Sequence, residues 1–171
     1  MHLQKTWFAS QVNSGSSSIK AKLTADISLN EEGSEEHVWT PIGTESSPFK
    51  GEFDGNGFTI SGLFVDGSND YSGLFGYVYA DKPNVDDNDN TGETIFVAEP
   101  VKMIYNLKVT NASVSGGQNV GGIAGYIHYA IISGCSFSGT VNGANNSVGG
   151  ICGYAFNYSV VEQCYSEGSV S

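Results

Sequence analysis

The chain contains no arginine. Its seven bases are all lysine and stand against eighteen acids, a net charge of −11 over 171 residues. Arginine supplies the bidentate fork that grips phosphate and carboxylate, and nucleic-acid binding calls for a basic footprint. Nucleic acids and strongly anionic polysaccharides are therefore poor candidates as ligands. No stretch approaches the ~20 consecutive apolar residues that span a bilayer, so membrane insertion is not expected. Met1 to Lys5 lead into no apolar run and begin no signal peptide. That leaves a cytosolic protein, or a fragment whose targeting segments lie elsewhere.

Catalytic equipment is equally sparse. From Pro100 to Val161 there is no Asp, Glu or Arg, so that stretch lacks the paired carboxylates of glycoside hydrolysis. His2, His37 and His128 stand apart with no metal-type spacing, and surface or packing roles are expected for them. The three cysteines, Cys135, Cys152 and Cys164, form neither a metal motif nor a disulfide framework by spacing. No cofactor is implied.

Glycine, by contrast, is abundant at 23 residues of 171, well above the roughly 7% of average usage. It follows no collagen triplet, which points to many tight turns between short strands. Hydrophobic residues at 39% and aromatics at 12% are enough to fill a core.

Internal repetition decides the fold. Gly121-Gly122-Ile123-Ala124-Gly125-Tyr126 returns 28 residues later as Gly149-Gly150-Ile151-Cys152-Gly153-Tyr154, and Ser72-Gly73-Leu74-Phe75-Gly76-Tyr77 precedes both. A second motif keeps step with the first: Ile104-Tyr105-Asn106-Leu107, Ile132-Ser133-Gly134-Cys135 and Val161-Glu162-Gln163-Cys164, with Ile60-Ser61-Gly62-Leu63 read as the earliest copy. Around Leu107-Lys108-Val109 and Ser136-Phe137-Ser138 apolar and polar positions alternate, as in a strand with one buried face. A unit of about 28 residues cannot bury a core alone, whereas stacked units can. Propeller blades are longer, roughly 40–50 residues, and a leucine-rich pattern is missing. The expectation is all-β: a right-handed parallel β-helix in which equivalent residues form ladders about 4.8 Å apart. Leu107, Cys135 and Cys164 should align on successive rungs, as should Ile123 and Ile151.

The first residues read differently. Leu3, Trp7, Phe8 and Val12 are spaced for one face of a helix, and Gly15 can end it. Such a helix would cap the open end of the solenoid, with Trp7 and Phe8 over the first rung. Lys22 to Leu29 then alternates like a strand. The expected layout is a single domain over residues 1–171: a capping helix at 1–15, first rungs at 16–78, an acidic insertion at 79–100 and the repeats at 101–171. Because the chain stops inside a repeat, truncation is expected.

The Gly-Gly-Ile-Ala/Cys-Gly-Tyr and Ile-x-x-Cys blocks resemble the GLUG repeat of bacterial extracellular proteins. Trp39 to Thr44 and Pro48 to Ile60 look like the segment that commonly precedes those repeats. The resemblance implies a right-handed β-helix in large secreted or wall-attached proteins, some adhesin-like, others immunoglobulin A-cleaving metallopeptidases. His-Glu-x-x-His is absent here, so peptidase activity does not carry over. The implied role is a non-catalytic adhesion or spacer module, extracellular, attached to other domains of a larger chain, with a host surface protein or glycan as partner. A carbohydrate-binding module or a polysaccharide-active enzyme remain the alternatives.

Several residues have a sharper and a plainer reading. Asp54-Gly55-Asn56-Gly57 favours a tight turn. Tyr77, Tyr126 and Tyr154 recur in register and could hold sugars, although structural packing is favoured. Cys135 and Cys164 should be rung neighbours, buried and free rather than bridged, and Cys152 stands where its repeat has Ala124. Asn111, Asn145 and Asn157 open glycosylation sequons, which a bacterial source would leave unmodified. The spacing from Gly73 to Gly122 is 49, so about 21 residues are extra, and they carry Asp81, Asp86, Asp87, Asp89 and Glu93. Asp87 to Gly92 fits the opening of an EF-hand loop, but Ala98 occupies the position of the bidentate glutamate. A solvated acidic loop on one face is expected, with another calcium geometry left open.

Overall fold

The computed structural model describes residues 3–30, 36–81 and 101–171. Helix α1 (Leu3–Asn13) opens the chain, and Gly15 ends it at φ +110°. Val12 is fully buried, Ala9 nearly so, and Phe8 packs against Phe49 and Phe53 at ring-centroid distances of 5.9 and 5.8 Å. Trp7 departs from the expected capping face, being 56% exposed. The reason is angular: at 3.6 residues per turn, Trp7 lies about 140° from Val12, on the far side of the helix. The side chain of Leu3 is outside the described residues. Asn13 secures the helix end, donating to Pro41 O at 3.0 Å and accepting from Gly43 N–H at 2.8 Å.

The rest is a parallel β-solenoid of about four coils. The first coil runs through β1 (Ala21–Lys22) and β2 (Ile27–Ser28), and the second through β3 (Phe53–Asp54), β4 (Thr59–Ser61), β5 (Phe64–Val65) and β6 (Phe75–Tyr79). The third comprises β7 (Val101–Tyr105), β8 (Lys108–Gly116), β9 (Val120–Gly121) and β10 (Ala124–His128). The fourth comprises β11 (Ala130–Ser133), β12 (Ser136–Gly143), β13 (Val148–Gly149) and β14 (Cys152–Phe156), and β15 (Val160–Glu162) and β16 (Tyr165–Val170) begin another. Three sheets result, in the orders β1-β3-β7-β11-β15, β2-β4-β8-β12-β16 with β5 also on β8, and β6-β10-β14, plus the small pair β9-β13. Every pairing is parallel, because each strand meets its counterpart one coil away.

Register bears out the period. Ala124 pairs with Phe75 on one side and Cys152 on the other, and Tyr126 with Tyr77 and Tyr154. Leu107, Cys135 and Cys164 align, bracketed by the Tyr105–Ser133–Glu162 and Lys108–Ser136–Tyr165 rows. One reading is corrected. Ile60 pairs with Val109, not Ile104, whose true partner is Phe53. Ile60-Ser61-Gly62-Leu63 thus lies on the second sheet, and its likeness to the Ile104 block is accidental. Phe53-Asp54-Gly55 is the real counterpart, hidden because Phe stands where the later coils have Ile or Val. Lys22 to Leu29 is likewise two short strands. Lys22 belongs to the first sheet and Ile27 to the second, so the chain must turn between them.

The corners explain the Asn and Gly content. Asn106, Gly134 and Gln163 repeat one left-handed corner at φ +54°, +61° and +52°, and Tyr71, Asn119 and Ser147 repeat another at +60°, +54° and +65°. Asn and Gly tolerate that region best. Gly122 has a different reason: a Cβ there would sit 2.3 Å from the Phe137 ring. Inside the prism Ile104, Leu107, Val109, Val114, Ile123, Ile127, Ile132 and Val141 are all fully buried. Ala80 N–H bonds His128 O at 2.9 Å, and Val101 N–H bonds Tyr129 O at 3.0 Å, so both residues sit against the chain where β10 runs into β11. Residues 82–100, with Asp86, Asp87 and Asp89, lie outside the described residues.

Candidate functional site

The third sheet carries two outward ladders of rings. Tyr77 and Tyr126 stack at 4.4 Å with planes 27° apart, and Tyr154 follows Tyr126 at 5.7 Å. Two residues along, Tyr79 and His128 stack at 4.5 Å, and Phe156 continues at 5.5 Å. Tyr71 closes the first ladder edge-on to Tyr77 at 5.0 Å. The tyrosines expected to recur in register do so. Their faces are turned to one another along the solenoid axis, however, and a sugar stacks on a ring face. Burial, and after it the neighbouring Tyr77, pushes the Tyr126 hydroxyl well above its ordinary value.

His128 is the polar member of this surface. It is 9% exposed, its Nε2 lies 2.9 Å from Asn157 Nδ2, and its Nδ1 has no partner. Burial lowers its pKa and holds the ring neutral. His37 lies on an exposed stretch, His2 is outside the described residues, and no metal-type cluster occurs among the described residues.

On the first sheet the structure assembles a pair of carboxylates that sequence reasoning missed. Glu52 and Asp54 sit two residues apart, and the coils on either side supply their partners. Lys20 Nζ is 2.9 Å from Glu52, Lys22 Nζ is 3.1 Å from Asp54, and the Tyr105 hydroxyl donates to Glu52. The register that pairs Lys22 with Asp54 and Asp54 with Tyr105 was the only available signal, and it depends on the corrected alignment. Hydrogen bonds from Tyr105 and Lys20 hold Glu52 below the usual carboxylate range. At Asp54 burial works upward, but the bonds from Lys22 and the Asn56 N–H outweigh it and bring the carboxyl down. The same contact with Glu52 pushes Tyr105 up to about 12. A glycosidase pair needs one carboxyl raised and protonated to act as acid; here both are lowered and tied. Asp54 also anchors the expected turn, accepting from Asn56 N–H at 2.7 Å, with Asn56 and Gly57 at φ +52° and +80°.

A groove of about 310 Å³ opens beside the second coil, where Trp39, Thr44 and Tyr71 meet Glu45, Asp66 and Asp70. Asp70 is engaged, accepting from the backbone N–H and Nε2 of Gln118 at 2.9 and 3.0 Å. Burial, and secondarily Glu45, raises the Tyr71 hydroxyl pKa. Among the described residues no base lines this groove.

All three cysteines are free. Cys152 occupies the inward position of Ala124 in the register, and burial raises its thiol to about 12, as befits a small core residue rather than a nucleophile.

Comparison with known proteins agrees with the coil pattern. The GLUG motif matches residues 116–142 and 144–171. Halomucin of Haloquadratum walsbyi (strain DSM 16790 / HBSQ001) is 33% identical over 136 residues, covering 79% of this chain. The chain spans about 1% of the length of that relative. No solved structure matches.

Proposed function

With the chain identified as a GLUG-repeat β-solenoid, we propose that it is a non-catalytic spacer and adhesion module of a larger extracellular or cell-surface protein. The observation that carries this reading is the continuous parallel pairing, coil upon coil, from β3 through β15 and from β2 through β16. Each coil adds about 4.8 Å of rise and presents the same lateral faces. Such an object projects neighbouring domains and repeats a surface. The polar groups support the same role: the Glu52–Asp54 pair is neutralised by Lys20 and Lys22, and the stacked rings hold coils together. Similarity to a protein named as a mucin is in keeping with a place outside the cell. The partner in this reading is a host surface protein, and a glycan partner belongs to the second reading.

A carbohydrate-binding role is the second reading, favoured by the groove at Tyr71, where an aromatic ring meets the carboxylates of Glu45, Asp66 and Asp70. Neutral or amine-bearing sugars suit its charge. A glycan array with the 171-residue chain separates the two, and an assay for reducing-sugar release addresses catalysis. A spacer gives neither signal. Saturable binding to one glycan, lost in Tyr71→Ala, would establish the second reading, and sugar release would overturn both.

A further inference from the structure

Cys135 and Cys164 hold equivalent places on successive coils, just before β12 and β16. Each thiol repeats the other's surroundings. Cys135 Sγ lies 3.4 Å from Ser133 O and 3.9 Å from Ile104 O, and Cys164 Sγ lies 3.1 Å from Glu162 O and 3.7 Å from Ile132 O. The two side chains thus share one rotamer, displaced by one coil. The Cys135 N–H points at Cys164 Sγ from 3.4 Å. Residues one rung apart have Cα atoms about 4.8 Å from each other, inside the roughly 4.4–6.8 Å window of disulfides; closure draws the Cβ atoms together by about half an ångström and turns at least one χ1 out of the shared rotamer so that the sulfurs meet. The next place along the ladder is Leu107, so this row holds two thiols and no third.

We propose that Cys135 and Cys164 are a redox couple that closes an inter-coil disulfide by exchange with a low-molecular-weight disulfide. Cys164 is the point of entry, because it is half-buried while Cys135 is 1% exposed. Its thiolate attacks one sulfur of oxidised glutathione, forming a mixed disulfide and releasing one glutathione thiolate. The Cys135 thiolate then attacks Cys164 Sγ and releases the second. Two protein thiols lose two protons and two electrons, and one glutathione disulfide becomes two glutathione thiols.

The electrostatics fit that order. A hydrogen bond from Cys135 stabilises the Cys164 thiolate and lowers its pKa. The same bond, and then burial, raises Cys135. Once Cys164 is in the mixed disulfide its charge is gone, and with it the first of those two obstacles to ionising Cys135.

The test uses the whole 171-residue chain, incubated natively with oxidised glutathione, alkylated, digested and weighed. The expected result is a Cys135–Cys164 cross-linked peptide, two hydrogens lighter than its parts, with Cys152 alone alkylated and a raised Tm. Cys135→Ser should trap glutathione on Cys164, whereas Cys164→Ser should leave Cys135 unmodified. Three alkylatable thiols after incubation would overturn the proposal, and so would a Cys164–Cys164 link between two copies. The wild-type measurement decides the matter even if neither variant folds.

Discussion

Tyr79 and His128 lie on neighbouring coils with their ring planes 3° apart and their centroids at 4.5 Å. The Tyr129 ring meets the imidazole edge-on at 4.5 Å, and Phe156 covers it from the next coil at 5.5 Å. A histidine enclosed by rings in this way is held neutral, and the consequence is a dependence of stability on pH. Burial lowers the folded-state pKa of His128, so the unfolded state binds more protons once the pH falls below its own value of about 6.5. Stability from this site is complete above that value and declines as the pH drops towards the lowered folded value. Denaturant melts between pH 8 and pH 5 should show this decline, and His128→Phe should flatten it over the upper part of that range. An unchanged slope would mean that the imidazole is already solvated.

Cys135→Asp should be severely destabilising. The site is 1% exposed, and a carboxylate there either ionises without a partner or stays protonated, costing several kcal/mol. Thermal melts give the answer, and an unchanged Tm would place the side chain outside the core. Cys135→Ala is the milder control, expected to lose about 1–2 kcal/mol.

Two glycines should respond differently to a side chain. Gly122→Val drives its Cβ into Phe137 and the Gly150 carbonyl, and should cost at least about 3 kcal/mol or prevent folding. Gly57→Ala meets no atom, but the backbone sits at φ +80°, so its cost should be only about 1–2 kcal/mol. Urea denaturation of both variants compares close packing with backbone conformation.

Removing residues 1–15 should expose Phe49 and Phe53, which Phe8 covers. The shortened chain should associate through that end and melt at lower temperature. Because Trp7 is largely exposed, Trp7→Ala should leave Tm nearly unchanged while Val12→Asp should not. Light scattering and thermal melts distinguish the two, and a monomeric, equally stable deletion would remove the capping role from α1.

The acidic strip should be robust to single changes. Lys22 is largely exposed, so Lys22→Ala should alter stability by no more than about 1 kcal/mol, with the effect screened at high salt. A large loss, insensitive to salt, would show that Asp54 depends on its lysine.

From sequence alone the solenoid was determined, because its repeat is written in close-packing constraints that recur every coil. Gly122 and Gly150 must stay small, Ile123 and Ile151 must face inward, and Asn106, Gly134 and Gln163 must turn a left-handed corner. The tyrosine and cysteine ladders followed from the same period. What only the tertiary structure decided lies where the period is weak. The first coils replace the repeat residues with others of similar bulk, so Phe53 rather than Ile60 proves to be the counterpart of Ile104, and the Glu52–Asp54–Lys20–Lys22 strip exists only in that register. Which side of α1 docks was equally invisible, since Trp7 and Val12 are both apolar and only contact with the coil end separates them. The ladder geometry completed the picture of the rings. Sequence places three tyrosines in one row, but whether a row of rings offers faces to a ligand or to itself depends on side-chain tilt, which packing against the neighbouring coil sets.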